Sequence, residues 1–163
     1  MSFGDGLGID FETAHGRDWP SVRQFNVFVP NRLGALMEVV RRFETTDIRI
    51  VSLTVVDSAD CAIIRLVLSD PERALGVFEQ AKMMVSESDL LVVKIPEGTQ
   101  PLVSICKALL SAEISIHYAY PLMMGVGPEG STALAIHVDD HETSVQTLLD
   151  KGFTLYTEGD LTW

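Results

Sequence analysis

The feature that most constrains this chain is that it carries one folding unit twice. "VPNRLGAL" (29–36) returns 66 residues later as "IPEGTQPL" (95–102), with the Val/Ile-Pro start and the closing Leu kept, while the position of Gly34 falls on Gln100. At the same offset Leu36, Val39, Val40 and Phe43 answer to Leu102, Ile105, Cys106 and Leu109, and "DIRI" (47–50) answers to "EISI" (113–116). The offset then widens to 70, because "MMGVGPEGS" (123–131) makes a longer hairpin loop. "LVLSDPE" (66–72) therefore meets "IHVDDHE" (136–142), and Asp140 takes the place of Asp70. The copies also end alike, in "MVSESDL" (84–90) and "LYTEGDL" (155–161).

Periodicity gives the content of each copy. "VRQFNVFV" (22–29) puts Phe25, Val27 and Val29 on one face, as a half-buried strand does. Leu33, Leu36, Met37, Val40 and Phe43 follow at helical spacing and predict the apolar stripe of a first helix. "IRIVSLTVV" (48–56) and "CAIIRLVL" (61–68) read as strands joined by the turn "DSAD". "SDPERALGVFEQA" opens a second helix, with Asp70 as N-cap, Pro71 at the first helical position and Glu72 in the first turn. A strand at "MMVSE" closes the unit as βαββαβ. The expected fold is α+β: two ferredoxin-like units, each an antiparallel sheet with its helices on one face. They occupy residues 21–89 and 90–163, after an N-terminal extension at 1–20. The first unit's last strand runs almost directly into the second's first, "LLVVKIP". Each unit alone leaves one sheet face bare and its edges exposed, a liability that pairing relieves. The extension holds Phe3, Leu7, Ile9, Phe11 and Trp19 and is expected to dock on a partner chain or on the open sheet face.

Composition removes several function classes. A net charge of -11 repels nucleic acid and anionic lipid, whose binding relies on Lys and Arg meeting phosphates. No apolar run approaches the roughly 18 residues of a membrane helix, and "MSFGDGLGID" lacks the basic and apolar regions of a secretory signal. A cytoplasmic protein, bound to neither membrane nor nucleic acid, is expected. Cys61 and Cys106 are spaced for neither a redox pair nor a metal clip and are expected as buried, reduced thiols. "HVDDHE" collects His137, Asp139, Asp140, His141 and Glu142, but it spans a strand end and a helix start, which predicts capping rather than metal ligation. "PNRLG" has no cysteines for a metal-chaperone role, and "CAIIRLVL" has none of the aromatics an RNA reader displays. A single Gly and Arg32, in the wrong order, fit an acylphosphatase-like cradle poorly. No nucleophile has a recognisable setting, so no catalytic residue, metal or cofactor is expected.

"FVPNRLGALMEVVRRFETTDIRIVSLTV" resembles the ACT domain, a small-molecule regulatory module of amino-acid metabolism. Asn31, Gly34, Ala35 and Leu36 stand where that family has an acidic residue or Asn, Pro-Gly and Ala-Leu, and "IRIVSLTV" stands for its "INI-x-x-L" strand. "IVSLTV" is similar to the regulatory subunit of acetolactate synthase, and "ISIHYAY" (114–120) to stand-alone tandem ACT proteins. The resemblance spans about residues 22–161. It departs at Arg49 and Ser115, where the acetolactate synthase subunit often has Asn, and at the second turn, which lacks the Gly and carries Pro101 just inside the helix.

The chemistry of such a turn accounts for the glycine. Free backbone N–H groups and the positive end of a helix suit a carboxylate, and a residue without Cβ lets a ligand approach the backbone. Gly34 supplies the access, with Leu33 and Ala35 beside it; Asn31 accepts from an ammonium or donates to a carboxylate, and Arg32 or Arg49 pairs with the acid. In the family the ligand usually sits between two ACT units, so the resemblance implies an opposing wall of Ile114, Ser115, Ile116 and His117 or Tyr118, within the chain or across a homodimer. It implies a small, apolar amino acid as effector. Because the chain ends two residues after the second repeat, action in trans on a partner is expected. The alternative is a structural or regulatory subunit that holds an acetolactate-synthase-like catalytic partner without an effector of its own.

Overall fold

The computed structural model describes residues 20–161. The elements run β1 (Val22–Pro30), α1 (Ala35–Val40), a 3-10 turn (Arg41–Phe43), β2 (Ile50–Asp57), β3 (Cys61–Leu68), α2 (Pro71–Gln80), β4 (Met84–Lys94), α3 (Pro101–Leu110), β5 (Ile116–Pro121), β6 (Ala133–Val138), α4 (His141–Asp150), β7 (Leu155–Tyr156) and a closing 3-10 turn (Glu158–Leu161). Every strand pairing is antiparallel, in the order β2-β3-β1-β4-β6-β5, with β7 also on β4. The α+β expectation of two βαββαβ units holds.

Strand β4 joins the two halves. Where the sequence reading has two strands meeting, the structure has one of 11 residues. Met84 to Leu90 pair with β1, and Leu91 to Lys94 pair with β6. Neither Gly nor Pro interrupts this stretch, so nothing turns the chain aside and only the partner changes.

Alternation along the strands divides the interior into three cores. Phe25, Val27, Ile64 and Leu66 meet Val39, Phe43, Ala74 and Phe78 of the first helical layer. Leu91, Val93, Ile136 and Val138 meet Ile105, Leu109, Val145 and Leu148 of the second. The alternate positions, among them Val22, Val67, Leu90, Val92, Ala135, Tyr120 and Tyr156, form a third core between the helix-free faces of the two halves. The outer strands also touch there: Ser52 Oγ donates to the Pro121 carbonyl (2.6 Å) and the Met123 N–H to the Val51 carbonyl (2.9 Å).

The repeat extends to burial. Val39, Ile105 and Leu109 are wholly buried, Phe43 nearly so, whereas Leu36 and Leu102 are exposed. This corrects the stripe read for α1: Leu33, Leu36 and Met37 face outward, and the buried residues are Ala35, Val39 and Phe43, because Gly34 starts the helix one residue later and fixes its phase. The cysteines are also corrected. Both are free but exposed, Cys61 where β3 leaves its hairpin and Cys106 beside the buried Ile105 on the outer side of α3. The apolar extension lies outside the described residues, apart from Pro20.

Both cap predictions hold. Asp70 accepts from the Arg73 N–H (3.2 Å) and Asp140 from the Thr143 N–H (3.0 Å). Hydrogen bonds from the Thr143 hydroxyl and N–H hold the Asp140 carboxyl below its ordinary 3.8. Its contribution to stability is thus fully present above that value and is lost as pH falls through the depressed folded value. The gap in urea midpoint between wild type and Asp140→Asn should therefore close on acidification below that range.

Arg23, with its side chain 2% exposed, ties the halves together. Its Nε reaches Glu158 (3.2 Å), its Nη2 reaches Glu72 (2.7 Å), and its Nη1 lies 3.5 Å from Glu87. Burial works against the charge, but the hydrogen bonds to Glu72 and Glu158 more than offset it and leave the guanidinium pKa raised. Arg23→Ala would leave the largely buried Glu158 uncompensated, and equilibrium urea unfolding should show a loss of about 3 kcal/mol.

Candidate functional site

The first turn is built around Gly34. It stands immediately before α1 at φ 84, ψ 0, a left-handed conformation that L side chains rarely adopt, with nothing within 4 Å of where a Cβ would stand. The Ala35 N–H returns to the Arg32 carbonyl and the Glu38 N–H begins the helix on Gly34. Between them, the N–H groups of Leu36 and Met37 have no acceptor among the described residues. Beside them lies an open groove of about 510 Å³ lined by Gly34, Met37, Glu38, Arg41 and Arg42.

The second turn is built differently. Its glycine, Gly98, comes two residues earlier in the repeat at φ 133, and the residue before α3 is Gln100 at φ -136, ψ 65, outside both the helical and the left-handed regions. Pro101 at the first helical position imposes this, because it disfavours helical φ/ψ in the residue before it.

The remaining candidates divide between three places. Asn31 donates to the Ser58 carbonyl (2.9 Å), which ties the turn to the β2–β3 hairpin. Arg32 is held by Glu38 (2.8 Å), so its charge is already matched, and Leu33 is wholly exposed beside it. Ala35 is buried under the helix. Arg49 does not share the turn. It precedes Ile50, which pairs with Leu68, whereas the turn adjoins Pro30, which pairs with Cys61 at the other end of β3.

Nor does the proposed opposing wall meet the turn. Ile114 is buried in the second helical core, the Ser115 N–H is bound to Asp139 (3.0 Å), and Ile116 pairs with Val138. Among the described residues no hydrogen bond or ion pair joins these to Asn31–Ala35. His117 lies 5.2 Å, ring to ring, from His137, which stacks on Tyr118 at 4.9 Å.

Sequence reasoning missed two features. Arg41 and Arg42 line the groove two turns after Gly34 and make no ion pair among the described residues; their helical offset from Gly34 was the available signal. The second is a polar cluster between the helix-free faces. Tyr120 donates to Gln24 Oε1 (2.6 Å), Gln24 Nε2 donates to Asn26 (2.6 Å) and to the Tyr118 hydroxyl (2.8 Å), and Asn26 donates to Ser86 (3.2 Å) and Ser88 (2.9 Å). Burial, and then Tyr118, push the Tyr120 pKa upward, so it stays a donor. Alternation along β1 places Gln24 and Asn26 together, but nothing local in sequence brings Tyr118 and Tyr120 to them.

Among the described residues no helix is long and apolar enough to cross a membrane, and no group of three or more His, Cys, Asp or Glu could hold a metal ion. Comparison with known proteins follows the fold. Protein BT0572 from Bacteroides thetaiotaomicron is similar at 22% identity and TM-score 0.76, over 86% of this chain and 95% of that one. The ligand-free regulatory subunit of aspartate kinase from Thermus thermophilus is similar at 12% identity and TM-score 0.54, over 80% and 91%. No curated protein matches the sequence. The model of the ACT domain pair matches residues 20–162, nearly all of the repeat, and the chain belongs to that family of regulatory rather than catalytic modules.

Proposed function

We propose that this chain is a non-catalytic regulatory protein of amino-acid metabolism that binds a small apolar amino acid in the groove beside Gly34 and acts in trans on a cytoplasmic partner. The observation that carries this is the pairing of an open, left-handed Gly34 with Arg41 and Arg42, whose charges no described carboxylate satisfies. A carboxylate in the groove would accept from the Leu36 and Met37 N–H groups. Because α1 has only six residues, its dipole is small, and the two arginines supply most of the attraction. Met37, half exposed, offers an apolar contact. Of the residues expected opposite, Ile114 is committed to its own core, and the exposed Ser115, Ile116 and His117 would have to come from a second copy, which makes a homodimer part of this reading. The two units, 21–89 and 90–163, then differ in role: the first binds and the second completes the fold and the partner surface. The likeness to an aspartate kinase regulatory subunit, one of fold, is compatible with control of a separate enzyme.

Exposed Leu33, Leu36 and Met37 favour one rival. The same face of α1 would then hold a catalytic partner, as in an acetolactate-synthase-like complex, with no effector. A thermal-shift screen against the twenty amino acids separates the two readings. A ligand at 100 times its dissociation constant stabilises the native state by about 2.7 kcal/mol. The effector reading expects one small set of amino acids to raise the melting temperature of wild type and of neither Gly34→Asp nor Arg41→Ser/Arg42→Ser, each still folded. No shift with any amino acid, together with co-purification of a larger subunit that Leu36→Asp abolishes, would favour the rival.

A further inference from the structure

The seam between the two halves holds a cation that no described carboxylate matches. On β3, Ile64 and Leu66 enter the first helical core, so alternation sends Arg65 to the helix-free face. There its guanidinium lies 3.7 Å from the centre of the Tyr118 ring of the other half. Its face is used in this way, but it makes no ion pair or hydrogen bond among the described residues, in a chain with 23 acidic side chains. A guanidinium held over a ring by its central carbon still carries its donors in a fixed planar fork, which matches a carboxylate.

Histidines gather at the same tyrosine. His137 stacks on Tyr118 with the planes 5° apart, His117 is 5.2 Å from His137, and the His137 Nδ1 is buried with no hydrogen-bond partner among the described residues. Burial first, and then the fields of His117, Arg65 and His141, hold the His137 pKa below its ordinary value. An anion arriving here would relieve that mutual repulsion.

One row further along the same face the chemistry becomes apolar. The strand registers set Val56, Ile63, Phe28 and Met84 side by side, and Val56, Phe28 and Met84 are exposed at 39%, 38% and 72%. Ile63 is two residues from Arg65 and so lies on the same face. The seam therefore presents a forked cation and an apolar strip about 7 Å apart, one strand repeat.

We propose that this seam binds a small carboxylic acid with an apolar tail, its carboxylate on Arg65 beside His137 and His117 and its tail over Ile63 and Phe28. The site lies on the face of the sheet opposite α1 and stands independently of the Gly34 groove. Because Arg65 comes from one half and Tyr118 and His137 from the other, occupancy clamps the two halves together, a coupling that the groove by itself would not provide.

The test uses the full chain and isocaproate, with isocaproamide and inorganic phosphate as controls, and follows the imidazole NMR signals of His137 and His117. Isocaproate should move both signals saturably. Its affinity should fall about tenfold in Arg65→Met, several-fold in Arg65→Lys, which keeps the charge and the stem, and not at all in Gly34→Asp. Isocaproamide should not bind, and phosphate should bind much more weakly than isocaproate. The proposal is overturned by the absence of saturation in the millimolar range, by unchanged affinity in both Arg65 variants, or by equal binding of the amide or phosphate. Lost binding in Gly34→Asp would instead assign the signal to the groove and equally overturn it.

Discussion

The structure depends on hiding the helix-free faces of its two sheets from water. A ferredoxin-like unit covers one face with helices and leaves the other bare, and a bare apolar face costs roughly 1.5 to 3 kcal/mol for each large side chain that could have been buried. Here each half supplies the cover for the other. Val22, Val67, Leu90, Val92, Ala135 and Tyr120 form a core that neither half could make alone. The unbroken β4 fixes the geometry, since one strand belongs to both sheets and its register orients them.

Burying that face also buries polar groups, and their pairing decides how tightly the halves are specified. Gln24 and Asn26 are on the seam side of β1, and a buried amide without a partner would oppose folding. Tyr118, Tyr120, Ser86 and Ser88 complete the network from both sides. On the helix side Arg23 performs the same joining with Glu158 and Glu72. These directional contacts reject alternative registers that the apolar core alone would tolerate. Arg65 differs from them, since its only described partner is an aromatic face.

The two turns show how a repeat diverges under the same fold. Each must carry the chain from a strand end into a helix that packs on its sheet, and each does so with the corresponding residues buried, Val39 with Ile105 and Phe43 with Leu109. The first turn uses Gly34 in a left-handed conformation, and the second a Gln100 held out of the helical region before Pro101. The first opens onto a groove that Arg41 and Arg42 line.

The sequence by itself determined the repeat, the strand and helix types, the caps at Asp70 and Asp140 and the placing of Gly34 in a turn. These are set by local spacing, by conformational preference and by hydrogen bonds three residues apart. Which face of α1 is buried was misread, because apolar residues at helical spacing mark two faces here and only the phase set by Gly34 selects Ala35, Val39 and Phe43. The burial of the cysteines was misread for a similar reason, since a residue's neighbours in sequence do not say whether another layer covers it. Tertiary structure alone separated Arg49 from the turn and carried His117 to His137. It also brought Arg65 to Tyr118, 53 positions away in the chain. Contacts across the seam depend on how two sheets lie over one another, and that follows from the summed packing of both faces rather than from any short stretch of residues.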